Sequence, residues 1–333
     1  MKNKLTYAVY AALFVMLSLS TGCIKPWFAH RRAIEHYVTA MSLQSVDFHD
    51  DAVLELQEAV KLDSDFALAH SMIGDIYRKQ GKYTQSAGAY EQACELDPWA
   101  FSDHFHLGEV YQLLKRFQDA VKVFKRACLL KPNHAQANYG LGVCYYELED
   151  FENAAKYCGK ASELEPDNEE IFASLGKIHG KNGDDYKAIN FYKQALEINA
   201  NQPDVMVSLG MVYVRMKRFG PGRLILEKAV ALAPDSANTH IALGYCLLRE
   251  KTPSQALDQY KQALNLDADN REALNGVGVA GMILYFNQQQ DTQLARSALE
   301  SWHRSLELEP NQPKIKRLVE KYTKIIFASE KQP

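Results

Sequence analysis

No block of lysine or arginine interrupts this chain, and its 38 basic and 41 acidic side chains leave a formal net charge of only −3. That balance argues against a nucleic-acid partner, which needs a basic patch. None of the six cysteines forms a Cys-x-x-Cys pair, so thiol redox chemistry is not expected. His-Glu-x-x-His and Gly-x-Ser-x-Gly are both missing, which removes the zinc-peptidase and serine-hydrolase signatures. The run Gly276-Val277-Gly278-Val279-Ala280-Gly281 formally satisfies a dinucleotide motif. It lies inside a helical pattern, however, and not between a strand and a helix. His36, His70, His104 and His240 are separated by one constant interval or a multiple of it, too far apart to share a metal ion. Asp47, His49, Asp50 and Asp51 cluster, but acids that open a helix are satisfied by its dipole. No catalytic residue, cofactor or metal is expected.

What the chain does have is a period. Glycine recurs at Gly74, Gly108, Gly142, Gly176, Gly210, Gly244 and Gly278, with the same step each time. Alanine keeps that step at Ala59, Ala93, Ala127, Ala161, Ala195, Ala229 and Ala263. Each repeat reads as two amphipathic helices joined by a short turn, the first showing apolar spacings of three and four. A glycine inside a helix costs about 1 kcal/mol relative to alanine, so close packing must offset it. In the fourth repeat the expected partners of Gly142 are Ala154 and Ala161. Gly278 and Ala298 stand further apart than Gly108 and Ala120, an insertion that one extra turn in each helix would absorb. Thr252-Pro253-Ser254-Gln255 reads as a capping box with proline just inside the helix. After Pro310, Ile315, Leu318, Val319, Tyr322, Ile325 and Ile326 form one stripe of a closing helix.

The marks Leu107-Gly108, Tyr111, Ala120, Phe124, Ala127 and Pro132 resemble the tetratricopeptide repeat. The resemblance implies an all-α, right-handed solenoid of about eight helix pairs, filling residues 33–312, with a capping helix and tail at 313–333. It also implies a concave groove lined by one face of the first helices. Carried over by position, that face presents Asp75, Arg78, Glu109 and Gln112, then Tyr139 and Tyr146. Further along it becomes apolar, with Val207, Met211, Val214, Ile241, Tyr245, Leu248 and Val279. Tyr139, Tyr146, Met211, Val214, Ile241, Tyr245 and Leu248 are the candidate partner-binding residues. An apolar lining of this kind suits a peptide or helix of a protein partner. The lysine–asparagine clamp of chaperone-binding relatives is absent.

Residues 1–22 belong to another physical class. Lys2 and Lys4 precede an uncharged run from Leu5 to Ser20, followed by Thr21-Gly22-Cys23, the layout of an export signal. A cysteine after small residues resembles the bacterial lipobox, with Ser20 where leucine is usual and Leu19 one place further out. The expectation is a lipid-anchored protein of the bacterial envelope facing the periplasm, with Cys23 as the lipidated residue and 23–32 as a tether. An uncleaved anchor and plain secretion remain open. In an exported chain the other cysteines read as buried small hydrophobes, with Cys144 and Cys158 near enough in one helix pair to make a bridge thinkable. The functional expectation is a non-enzymatic protein-interaction scaffold. The alternatives are a module that recruits a catalytic subunit in polysaccharide synthesis or export, and a self-associating structural protein.

Overall fold

A computed structural model describes residues 28–287 and 292–329, all of them in helices or short connections. The expected export signal, Cys23 and residues 23–27 of the expected tether lie outside the described residues, whereas 28–32, expected as tether, are helical. Helix α1 covers residues 28–45. It is followed by α2 (His49–Leu62), α3 (Ala67–Lys79), α4 (Tyr83–Leu96), α5 (Phe101–Leu113), α6 (Phe117–Leu130), α7 (Ala135–Glu147) and α8 (Phe151–Leu164). These form one compact body that ends at Leu164. A second body begins at Glu165. It contains α9 (Glu169–Lys181), α10 (Asp185–Ile198), α11 (Pro203–Arg215), α12 (Phe219–Leu232), α13 (Ala237–Arg249) and α14 (Pro253–Leu266). It closes with α15 (Arg271–Asn287), α16 (Thr292–Leu308) and α17 (Pro313–Ser329). Consecutive helices pack as pairs, and within each body the second helix of one repeat packs on the first helix of the next.

The glycine period has a clear steric cause, and it differs from the expected one. A side chain sixteen residues later lies across six of the seven glycines, among them Tyr90 on Gly74, Phe124 on Gly108, Tyr192 on Gly176 and Leu226 on Gly210, and the insertion moves the residue over Gly278 to Trp302. A Cβ built at Gly108 would fall 2.7 Å from the Phe124 ring. The residue that crosses Gly142 is Cys158, whose backbone nitrogen would be 2.9 Å from such a Cβ, and Ala154, one of the two expected partners, contributes its carbonyl at 3.2 Å. The same rings also touch the next repeat, Phe124 at Gly140 and Tyr260 at Gly276. Each ring therefore stitches two repeats together, and full burial of a side chain such as Phe124 is worth about 1.5–3 kcal/mol. The dinucleotide-like run in α15 has the same explanation: Gly276 faces Tyr260, Gly278 faces Trp302 and Gly281 faces Ala298.

The turn inside each repeat is equally regular. Asp47, Gly81, Lys115, Glu149, Gly183, Lys217 and Lys251 all have φ between 57° and 84°, and they follow the same period as the glycines. The residue after each returns its N–H five positions, as in Arg116 to the Tyr111 carbonyl at 2.8 Å and Arg218 to Tyr213 at 2.8 Å. That is a Schellman closure of the first helix. It aims the basic residue back over the aromatic one, with the Arg116 guanidinium 4.3 Å from the Tyr111 ring centre and Arg218 5.1 Å from Tyr213. The capping box expected at Thr252 does not form. Its hydroxyl donates to the Leu247 carbonyl at 3.0 Å, the same carbonyl that accepts the closing Thr252 N–H at 2.9 Å.

The insertion in the eighth repeat lengthens both helices: α15 and α16 have 17 residues each, against 13 in α13 and 14 in α14. The closing helix α17 packs Ile315, Val319 and Ile326 into a core with Met282, Tyr285 and Trp302, while Ile325 turns outward. The cysteines of the described residues are all free, Cys144 and Cys158 included. Burial pushes both of those thiols up to about 12.

The Gly142 contact makes a direct prediction. Because a Cβ there meets the backbone of α8, Gly142→Leu should cost about 1–3 kcal/mol or more. Urea denaturation should show the loss, and hydrogen exchange should place it in α7, α8 and their neighbours in the N-terminal body, not evenly along the chain.

Candidate functional site

In the C-terminal body, α11, α13, α15 and the start of α17 line an open cavity of about 930 Å³. Met211, Ile241, Tyr245 and Leu248 line it together, with Val207 and Val279 beside them. The structure adds Ile283 from α15, and Ile315 and Leu318 from α17. Val214, Tyr139 and Tyr146 are the expected residues that do not line it, and Val214 is the one that lies in the same body. It is 3% exposed and belongs to the buried core, because Gly222 on α12 leaves space for its side chain to lean inward, 3.4 Å from where a Cβ would be. Tyr139 and Tyr146 lie half-buried on α7 in the N-terminal body. Tyr146 rests 5.9 Å from Phe151, and burial raises its phenol above the ordinary value.

Tyr245 is the most open apolar side chain on the expected stripe, at 38% exposure. Its hydroxyl accepts a hydrogen bond from Arg249 at 3.3 Å. Arg249, Glu272 and Lys314 supply the charges at the rim. One wall depends on Gln312. Its amide donates to the Ser305 and Glu309 carbonyls at 2.8 and 3.0 Å and accepts from Asn275 at 2.9 Å, which fixes the start of α17 against α15 and α16. The sequence contained a signal for α17 as a helix, but not for where its first turn would land.

The corresponding face of the N-terminal body is charged and internally paired, although the Arg78 Nε is buried without a hydrogen-bond partner. Tyr90 donates to Asp75 at 2.6 Å, and Arg78 lies 3.6 Å from Asp75 and 3.7 Å from Glu109. His106 contacts the same Glu109 at 2.8 Å. Asp103 is buried with one hydroxyl donor, Ser71 at 2.5 Å, and that burial raises its carboxyl above the usual range.

Three of the four periodic histidines are turn clamps, His70 through the Ser64 backbone, whereas His36 instead contacts Glu55 at 2.6 Å. His104 Nε2 donates to the Pro98 carbonyl at 3.2 Å, and His240 Nε2 to the Pro234 carbonyl at 3.0 Å. Asn138 does the same to Pro132 at 3.1 Å. In each case the acceptor is six residues earlier, in the turn between repeats, and that constant separation was the overlooked signal. Among the described residues no group of histidine, cysteine and acidic side chains could hold a metal ion. No helix among them is long and apolar enough to cross a membrane.

This arrangement, paired helices with a crossed glycine and a lined first-helix face, defines a helical-repeat protein of the tetratricopeptide class. The chain belongs to the family described as the Cilia and flagella-associated protein 70 C-terminal domain, a tetratricopeptide-repeat family that matches residues 32–276. A comparison with curated proteins found no match. Among solved structures, Cut9–Hcn1, the hetero-tetramer of the APC/C, is 15% identical with a TM-score of 0.55, covering 82% of this chain and 52% of that one. PilF of Pseudomonas aeruginosa is 20% identical with a TM-score of 0.52, covering 62% of this chain and 94% of its own. At those identities the likeness concerns the fold.

The clamps predict a pH dependence. Burial lowers the imidazoles of His70 and His104 below their ordinary value. Their folded forms are therefore neutral, and the stability they contribute is complete above about pH 6.5 and is lost as pH falls through the lowered value. The raised Asp103 carboxyl acts in the opposite sense. His104→Asn keeps the bond to Pro98, as Asn138 does to Pro132, and should leave stability at pH 7 within about 1 kcal/mol. Its melting temperature should fall less than that of the parent between pH 7 and 5.

Proposed function

We propose that this chain is a non-catalytic protein-interaction scaffold that holds an apolar helix or peptide of a partner in the cavity of its C-terminal body. The observation that carries this reading is the cavity itself. Its lining is mostly apolar, it is open, and its charged residues stand at the edge, which is how an amphipathic helix is received. Tyr245 is the anchor, because an aromatic side chain that is part-exposed before binding and covered afterwards is a common hot spot. Tyr245→Ala should weaken partner binding by about 2 kcal/mol and leave the melting temperature close to the parent's. Photo-crosslinking from position 245 in cells, followed by mass spectrometry, names the partner. Full affinity with a lowered melting temperature would mean that Tyr245 is packing and not contact.

The setting we propose is the bacterial envelope, with the scaffold tethered through Cys23. The support is in the sequence: two lysines, an apolar run to Ser20, and Thr21-Gly22 before the cysteine. Two such features, a lipid and a repeat scaffold, would hold the cavity near a membrane-bound assembly. Cys23→Ala should abolish incorporation of a labelled fatty acid and release the protein from membranes or leave an uncleaved precursor; unchanged labelling would rule the anchor out.

A further inference from the structure

In the inner repeats of the N-terminal body, the sixth residue of the first helix lies against the preceding repeat. Gly140 leaves room for Phe124, with a built Cβ 2.8 Å from the ring, and His106 sits 6.0 Å from the Tyr90 ring. Counting back by the period, that position in α1 is Val38, and positions two and nine, which share its face, are Ile34 and Met41. Spacings of four and three place the three on one stripe. They are 41%, 53% and 48% exposed for Ile34, Val38 and Met41. The neighbouring face of α1 is fully used, with Ala33 and Ala40 packed among Leu56, Ala59 and Ile73. A capping repeat normally presents a polar outer face. Here the exposed face is apolar; Val38 stands in the register of a repeat–repeat junction, and Ile34 and Met41 flank it at positions that line the concave face in later repeats.

We infer that this face is covered by the same face of a second copy of the chain, with two α1 helices packed antiparallel about a two-fold axis near Val38. The charges at its ends fit a self-complementary contact. Arg31 lies seven residues before Val38 and Asp47 nine residues after it. At the helical rise, seven residues is about 10 Å from the axis, so the two-fold brings each Arg31 to the Ser45–Asp47 end of the other copy. The Asp47 side chain is 93% exposed. Arg31 is held by a loose, solvent-exposed pair with Glu35 at 3.6 Å, a contact that exchanges at little cost.

The test uses the full chain in sedimentation equilibrium. The parent should be a dimer, and Val38→Glu should weaken self-association by about tenfold or more with unchanged helix content. Arg31→Asp and Asp47→Lys should each weaken it, and the two together should restore it. Lysine is a safe choice for the turn, because Lys115, Lys217 and Lys251 occupy the same left-handed position with φ of 57°, 60° and 67°. Under mild oxidation Val38→Cys should link to itself across two copies beyond the parent's background, while Leu129→Cys, also exposed, should not. A monomeric parent, a dimer indifferent to Val38→Glu, or a double charge swap that fails to restore association would overturn the proposal. So would absence of the Val38→Cys link, which is the outcome if another protein or another part of this chain covers the face.

Discussion

A side chain lying flat across a glycine sixteen residues earlier is the constraint on which the rest of this structure depends. It brings the two helices of a repeat closer than any Cβ would allow and fixes their rotation, because the ring and the hydrogen atom it covers must face each other. Where Leu226 replaces the ring, Gly210 is still required, since a Cβ would lie 2.8 Å from one of its methyl groups. The opposite side of Phe124 and of Tyr260 is then pressed on the following repeat. Internal packing and neighbour stacking are thus one interaction, and stability is shared between neighbours rather than owned by each repeat.

The period, the helix pairing, the lengthened eighth repeat and the closing helix could all be read from residue spacing, because each is a local consequence of which side chains fall on one face. The residue that crosses Gly142 could not. Alanine looked small enough to approach it, yet the residue at the ring offset is Cys158, and its position in the frame matters more than its size. The left-handed turn was hidden for a similar reason. Only Gly81 and Gly183 announce it, whereas Lys115, Lys217 and Lys251 adopt it because the closure hydrogen bond offsets a backbone cost of about 1–2 kcal/mol. Of the candidate site, Met211, Ile241, Tyr245 and Leu248, carried over by position from the family resemblance, line one cavity. Val214 does not, since its direction depends on Gly222 in another helix.

The two first-helix faces differ in what is left to satisfy. In the N-terminal body, Arg78 is ion-paired with Asp75 and Glu109, which are hydrogen-bonded to Tyr90 and His106, so a ligand there would have to displace contacts already made. In the C-terminal body the same positions hold Met211, Tyr245, Leu248 and Val279, which have no polar bond to lose when covered beyond that of Tyr245 with Arg249. Covering apolar area gains about 25 cal/mol per Å², whereas displacing a paired charged network gains little and risks an unpaired charge. That difference, more than shape, singles out the C-terminal cavity.

Its wall is also a product of the irregular repeat. The extra turn of α15 carries Tyr285 and Phe286, whose rings meet at 4.9 Å, and Phe286 reaches Tyr322 of α17 at 5.7 Å. Trp302 on the lengthened α16 approaches the same Tyr322 at 5.9 Å. These contacts hold the middle of α17, and Gln312 holds its beginning, so Ile315 and Leu318 are brought over the stripe that Tyr245 continues. With repeats of ordinary length, α17 would lose Phe286 and much of its seat, and the stripe would remain a shallow surface. An insertion far from Tyr245 in the sequence therefore converts a run of apolar positions into a walled, open site.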